Sequence, residues 1–212
     1  MSNSTKSRIQ RKNPNLIFSR TTYRSAWPHL MSDFGERCAY SMQHISKAGG
    51  SKSMEVDHFN PRRKKDEVQE YLNLFLASRH CNGAKGNHWP SNKERKRGIR
   101  FLNCCEEADY DIQILEDPDT HKVVGMTPAA RFHIRYCDLN DPWLIEERKD
   151  RNTLWNFIEN KAIFFKGSWA LPEAYFLLKE QAEKMIPRIK FLSGSALESQ
   201  RAKRAALAAL KQ

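Results

Sequence analysis

Met54-Glu55-Val56-Asp57-His58-Phe59-Asn60-Pro61 is the stretch on which the reading of the fold turns. Apolar, acidic and imidazole side chains run up to a proline. That pattern reads as a short strand which delivers Asp57 and His58 side by side at its end, where Pro61 stops the ladder. Asp57 offers a hard anionic oxygen, and His58 a base that titrates near neutrality.

Working outward, Tyr71-Leu72-Asn73-Leu74-Phe75-Leu76 reads as a second apolar strand with Asn73 at its entrance. Residues 79–88, containing His80-Cys81-Asn82-Gly83-Ala84-Lys85, read as a short helix that carries Asn82 and Lys85 on one face. Each polar residue has a plain alternative: Asp57 and His58 as a salt bridge or a satisfied core histidine, Asn73 as a cap, Asn82-Gly83 as a turn. Their joint order outweighs these. Asp-His, then Asn-Leu before a strand, then Cys-Asn-x-x-Lys, over about residues 36 to 90, resembles the HNH (ββα-metal) endonuclease superfamily in its His-Asn-Asn form.

The resemblance implies an α+β fold: a ββα-metal HNH nuclease module with small antiparallel β additions and a helical C-terminal region. It also implies metal-dependent phosphodiester hydrolysis. His58 would be the general base, Asn73 would help to orient it, and Asp57 and Asn82 would be metal ligands. Two hard oxygen donors suit Mg2+ or Mn2+ better than zinc. Many members of the superfamily add a structural zinc on paired Cys-x-x-Cys knuckles. Here the pairs read Cys38-x-x-Ser41 and Ser78-x-x-Cys81, and a neutral hydroxyl is a poor zinc ligand. His44 or His80 are the candidate substitutes. No structural zinc is expected, with Cys38 and Cys81 serving as small buried apolar residues.

The 212 residues carry a formal net charge of +11, a field that draws in polyanions and raises their association rate. The cations cluster. Arg62, Arg63 and Lys64 follow Pro61 at once, and Lys93, Arg95, Lys96 and Arg97 form the densest basic run. Both sets read as contacts to a nucleic-acid backbone, with Lys85 and, more weakly, His80 or Arg79 reaching a phosphate. The N-terminus lacks the apolar core of a secretory signal, and no run of 18 or more apolar residues would span a bilayer. Five cysteines without export signals read as reduced thiols, so a cytoplasmic protein without membrane contact is expected.

Five segments are expected. Residues 1–20 form a flexible basic arm. Residues 21–105 hold the nuclease module behind a helix from Thr21 or Thr22 to about Phe34, kinked or delayed by Pro28. Within them Ser46 to Ser53 is a hairpin or loop, and Asp66 to Glu70 a loop or short helix. Residues 106–140 form a small meander with strands near Tyr110–Leu115, Lys122–Met126 and Arg131–Tyr136. Residues 141–192 form an amphipathic helical hairpin suited to partner docking, and residues 193–212 an Ala-rich basic helix that frays unless a partner covers it.

The leading expectation is an HNH nuclease acting on DNA, with RNA as the alternative substrate. A small HNH protein with these strings also looks similar to nucleases of bacterial anti-phage defence, the Septu and retron-associated type. That implies an ABC-type ATPase or another defence-complex subunit as partner. The competing readings are a catalytically silent nucleic-acid-binding or scaffolding module and a stand-alone restriction-type enzyme.

Overall fold

The computed structural model describes residues 9–107, 109–164, 173–187 and 189–209. The chain enters through a segment expected to be a flexible arm, and from Ile9 onward it is not one. Ile9 is buried and donates its N–H to the Cys104 carbonyl at 3.1 Å. The Arg11 guanidinium lies 4.5, 4.7 and 5.0 Å from the ring centroids of Phe34, Tyr71 and Phe75, and its Nη2 donates to the Leu74 carbonyl at 2.6 Å. Its Nε and Nη1 are buried without hydrogen-bond partners, so the aromatic faces supply the compensation. Leu16 and Phe18 also pack on the core, and β1 (Ile17–Ser19) forms beside them. Residues 1–8 lie outside the described residues.

A 3-10 turn, Tyr23–Ala26, precedes α1 (Trp27–Asp33). Pro28 falls in the first turn of α1, where a missing N–H costs nothing, so it delays the helix rather than kinking it. The expected loop after Cys38 contains one helical turn, α2 (Ile45–Ala48), ended by Gly49 at φ +101°. A Cβ on Gly49 would sit 2.6 Å from the Ser53 hydroxyl, so only glycine fits there.

Next come β2 (Met54–His58), a 3-10 turn at Pro61–Lys65, β3 (Val68–Glu70), β4 (Leu74–Ser78) and α3 (Arg79–Lys85). β2 pairs antiparallel with β4, from Met54 opposite Ser78 to His58 opposite Leu74. Every residue of β4 is buried, and α3, capped by the Ser78 side chain, packs back on both strands. Val68–Glu70, expected as loop or short helix, is a strand because the docked β1 offers it an edge, with Phe18 opposite Gln69.

Beyond α4 (Asn92–Lys96), with its Ser91/Glu94 capping box, the expected three-stranded meander is half right. Tyr110–Gln113 is a single helical turn, α5; β5 (Ile114–Glu116) and β6 (Val123–Gly125) form a hairpin; and the third piece is helical, α6 (Pro128–Tyr136). Thr127 caps α6 by accepting the Ala130 N–H, Pro128 sits in its first turn, and Ala129, Ala130, His133 and Ile134 line its buried face. Thus cap and 3.6-residue period win over the β-prone Phe-His-Ile string.

α7 (Pro142–Phe164) and α8 (Glu173–Lys184) pack against each other as the expected helical hairpin. The inward face of α7 is polar as much as apolar, since Glu147, Arg148, Arg151 and Asn152 are buried beside Leu144 and Ile158. α9 (Gly194–Ala209) is linked to the turn between β5 and β6, where Arg201 and Arg204 pair with Asp117 and Asp119.

The molecule is therefore mixed α+β, with three small antiparallel strand pairs among the described residues. One hydrophobic core runs from Ile9 through α1 and the β2–β4 hairpin to α6. No helix among the described residues is long and apolar enough to cross a membrane.

Candidate active site

β2 and α3 place the expected residues. Side chains two apart on a strand share a face, and Glu55 and Asp57 both meet α3. The Asn82 Nδ2 donates to Glu55 Oε2 at 2.6 Å. One turn on, the Lys85 ammonium donates to Asp57 at 2.9 and 3.2 Å and to the His58 carbonyl at 2.9 Å. The Tyr40 hydroxyl donates to the same Asp57 carboxylate, and burial followed by the Asp57 charge pushes the Tyr40 pKa well up, keeping it a donor. Lys85 is fully buried; it is the counter-ion of Asp57, not the phosphate contact expected from its spacing.

His58 is held by a residue that no spacing singled out. Its Nε2 lies 2.7 Å from Gln69 Oε1, and the Gln69 amide nitrogen donates to the carbonyls of Arg63 and Asp66. With both amide protons engaged, Gln69 presents only its oxygen, so His58 carries its proton on Nε2 and leaves Nδ1 as the basic nitrogen. The Tyr23 ring packs 4.7 Å from the imidazole. Burial lowers the His58 pKa below its ordinary value; the Gln69 bond and Asp57 oppose that shift, and Lys64 and Lys85 add to it. The ring is thus the neutral, proton-accepting form at pH 7.

Asn73 does not touch the ring. Its Oδ1 accepts the Asn60 N–H at 2.8 Å, its Nδ2 donates to the Asn60 carbonyl at 3.4 Å, and its own carbonyl accepts the Phe59 N–H at 2.8 Å. It pins the chain as it leaves His58, while Gln69 does the orienting expected of it. Asp57, His58, Asn82, Glu55 and Lys64 all line one open cavity of about 440 Å³. Asn73 is not among its walls.

No family model matches the chain, and no curated protein or solved structure is significantly similar to it. The reading of the cavity therefore rests on its own donors. The Asn82 amide nitrogen is spent on Glu55, and Asn82, Glu55 and Asp57, the last also paired to Lys85, line the cavity as a set of oxygen-bearing side chains. Such a set fits a hard divalent ion and not zinc. A separate group, His80, Asp138 and Asp141, brings its donor atoms within 4.8 Å of one another at the surface. Asp141 already caps α7 there, accepting the Trp143 N–H at 2.8 Å.

The zinc-knuckle positions do meet. Cys38, Ser41, Ser78 and Cys81 are buried together, with the Ser41 N–H 3.5 Å from Cys38 Sγ and the Cys81 N–H 3.3 Å from Ser78 Oγ. Burial raises the Cys38 thiol, but hydrogen bonds from Cys81, Ser41 and Ser78 outweigh it and make Cys38 the acidic partner; Cys81 is pushed up in turn. Neither candidate substitute joins them: the His44 side chain caps α2, and His80 faces Asp138.

Of the expected backbone contacts, Arg62, Lys93, Arg95, Lys96 and Arg97 are exposed, as is Lys64 on the cavity rim. Arg63 is spent on Glu70, with two bonds of 2.8 Å, and on Asp66. Arg79 bonds Glu55 at 3.2 Å and so orients a carboxylate. Sequence reasoning missed Glu55, Gln69, Tyr40 and Tyr23. Only Glu55 had a local signal, the strand period that sets it on the face of Asp57.

Proposed function

We propose that the chain is an HNH-type endonuclease that hydrolyses phosphodiester bonds in DNA. What supports this most is one observation: His58, with Nε2 anchored on Gln69, lines the same cavity as the oxygen-bearing side chains of Glu55, Asp57 and Asn82. His58 Nδ1 accepts the proton of an attacking water, with Nε2 anchored so that the lone pair keeps its direction. Asp57, Asn82 and Glu55 would hold Mg2+ or Mn2+, which when bound supplies Lewis-acid neutralisation of charge on the phosphoryl group. Lys85 and Tyr40 hold the Asp57 carboxylate in place. Lys64 and Arg62 draw the phosphate backbone to the cavity mouth. The assignment to anti-phage defence with an ABC-type ATPase rests on the sequence resemblance alone.

The test is cleavage of supercoiled plasmid with Mg2+, Mn2+ or EDTA, beside His58→Ala. The expected result is metal-dependent nicking that falls by roughly 10²- to 10⁴-fold in the variant, the usual scale of a lost general base. Activity that survives His58→Ala would sink the proposal. DNA binding without cleavage under any metal would favour the silent-module reading, unless the ATPase partner restores it.

A further inference from the structure

Several arginines among the described residues are committed to carboxylates: Arg63 to Glu70, Arg79 to Glu55, Arg100 to Glu107, Arg151 to Glu116. Four other cations, Arg97, Lys122, Arg131 and Arg135, gather around α6. Arg131 and Arg135 stand one turn apart and exposed on its outer face. Two clefts flank them. One, about 450 Å³, is walled by α6 and the chain after α4 and contains Arg97; the other, about 400 Å³, is walled by α6, β6 and α9 and contains Lys122. Among the described residues none of the four makes an ion pair; Arg131 donates only to the carbonyls of Gly125 and Met126, at 3.2 and 3.4 Å.

The platform is rigid. β6 approaches α6 so closely that a Cβ on Gly125 would lie 2.5 Å from the Arg131 nitrogen, so the helix start is locked against the hairpin. The acids near the clefts have partners of their own: Glu94 closes its capping box with Ser91, and Asp117 takes Arg204. Half-buried Tyr136 lies beneath the Arg135 guanidinium at 5.6 Å. Spaced, unpaired guanidinium groups in open clefts with aromatic rings between them match the phosphates of a polynucleotide.

We propose that α6 and its two clefts grip the sugar–phosphate backbone of a nucleic acid, with Arg131 and Arg135 at the centre and Arg97 and Lys122 at the margins. This rests on the nuclease reading for its ligand and extends it to a second surface, one formed by a helix beyond the hairpin. The grip is independent of sequence, because phosphate contacts carry no base information.

The test is anisotropy of a short fluorescein-labelled DNA duplex with His58→Ala protein, over about 50 to 200 mM KCl, where phosphate contacts register as the salt slope. Arg131→Gln/Arg135→Gln should weaken binding and lower the slope by about two, since each lost contact removes about 0.9. Arg131→Lys/Arg135→Lys should keep the slope, and Lys203→Ala, on the exposed face of α9, should leave it unchanged. A wild-type slope in the Gln pair, or equal loss in the Lys pair, would overturn the proposal; so would polyglutamate displacing the duplex at equal charge. A reduced slope in a protein that never cleaves leaves this interface standing and removes the nuclease reading. Cleavage with an unchanged slope does the reverse.

Discussion

Asp57–Lys85 beneath the hairpin and Glu116–Arg151 between β5 and α7 are both ion pairs taken out of water, with Lys85, Glu116 and Arg151 fully buried. Around Glu116 the polar valences close on themselves. Arg151 also donates to the Ile186 and Pro187 carbonyls at 3.2 and 2.9 Å; Asn152 and His121 meet the other Glu116 oxygen; Arg148 donates to the His121 and Leu139 carbonyls at 2.7 and 2.9 Å. Around Asp57 they do not close. Among the described residues His58 Nδ1 and the Asn82 side-chain oxygen have no hydrogen-bond partner, and both residues line a cavity. Buried charge by itself therefore marks no site; the network around α7 is a tie between elements. Valence left over toward solvent is what separates the hairpin from it.

The contrast breaks most visibly through stability. Arg151→Met strands the Glu116 carboxylate in the core and should cost about 3–5 kcal/mol, the scale of removing one partner of a buried pair. It should leave cleavage per folded molecule unchanged. Lys85→Met strands Asp57 in the same way and should lose both stability and cleavage. Urea midpoints read the first quantity, and plasmid nicking at a temperature where both variants are folded reads the second. If Arg151→Met abolished cleavage by the folded protein as fully as Lys85→Met, the two regions would not differ in kind.

What was legible in advance follows the same division. The β2–β4 hairpin, α3 and the α7–α8 pair could be read because strand and helix periods, Pro61 and Pro187 are local signals. The partners of those elements could not. Gln69, which meets His58, lies on β3, and β3 pairs with β1 a few residues after Arg11 stacks on three aromatic rings distant in sequence. Arg131–Tyr136 has β-prone residues, and its helix depends on the Thr127 cap and on a core that accepts Ala130 and His133. Burial inverted one role as well: Lys85 has the spacing of a phosphate contact, and the core turns it inward to Asp57.

Gln69 sharpens the comparison from the side of the site. Gln69→Leu removes the acceptor that keeps the His58 proton on Nε2, so the ring loses both tautomer and orientation. The expected loss of cleavage is roughly ten-fold or more, the scale on which partners orienting a functional imidazole act. A merely structural role would not move the pH profile, so that profile decides. Gln69→Glu places a carboxylate against Nε2–H, which should raise the His58 pKa and carry the acidic limb of kcat/KM to higher pH. An unmoved limb in Gln69→Glu, with stability matched, would take His58 out of the base role or Gln69 out of its service.

The smallest effect belongs to Lys64, exposed on the cavity rim. Burial is the main cause of the lowered His58 pKa, and the Lys64 charge deepens it. A base with a depressed pKa is fully unprotonated at neutral pH and loses function only as pH falls through that pKa. Removing the cation in Lys64→Gln relieves part of the depression, so the His58 pKa rises and the acidic limb moves up. Rates at pH 8 should be unchanged apart from weaker DNA association, whereas at pH 6 kcat should drop by roughly two-fold, the worth of one solvent-screened charge. High salt should erase the difference, because the Debye length contracts to about 3 Å at 1 M. Lys179→Gln, on α8 and outside the walls of that cavity, should leave the profile where it is.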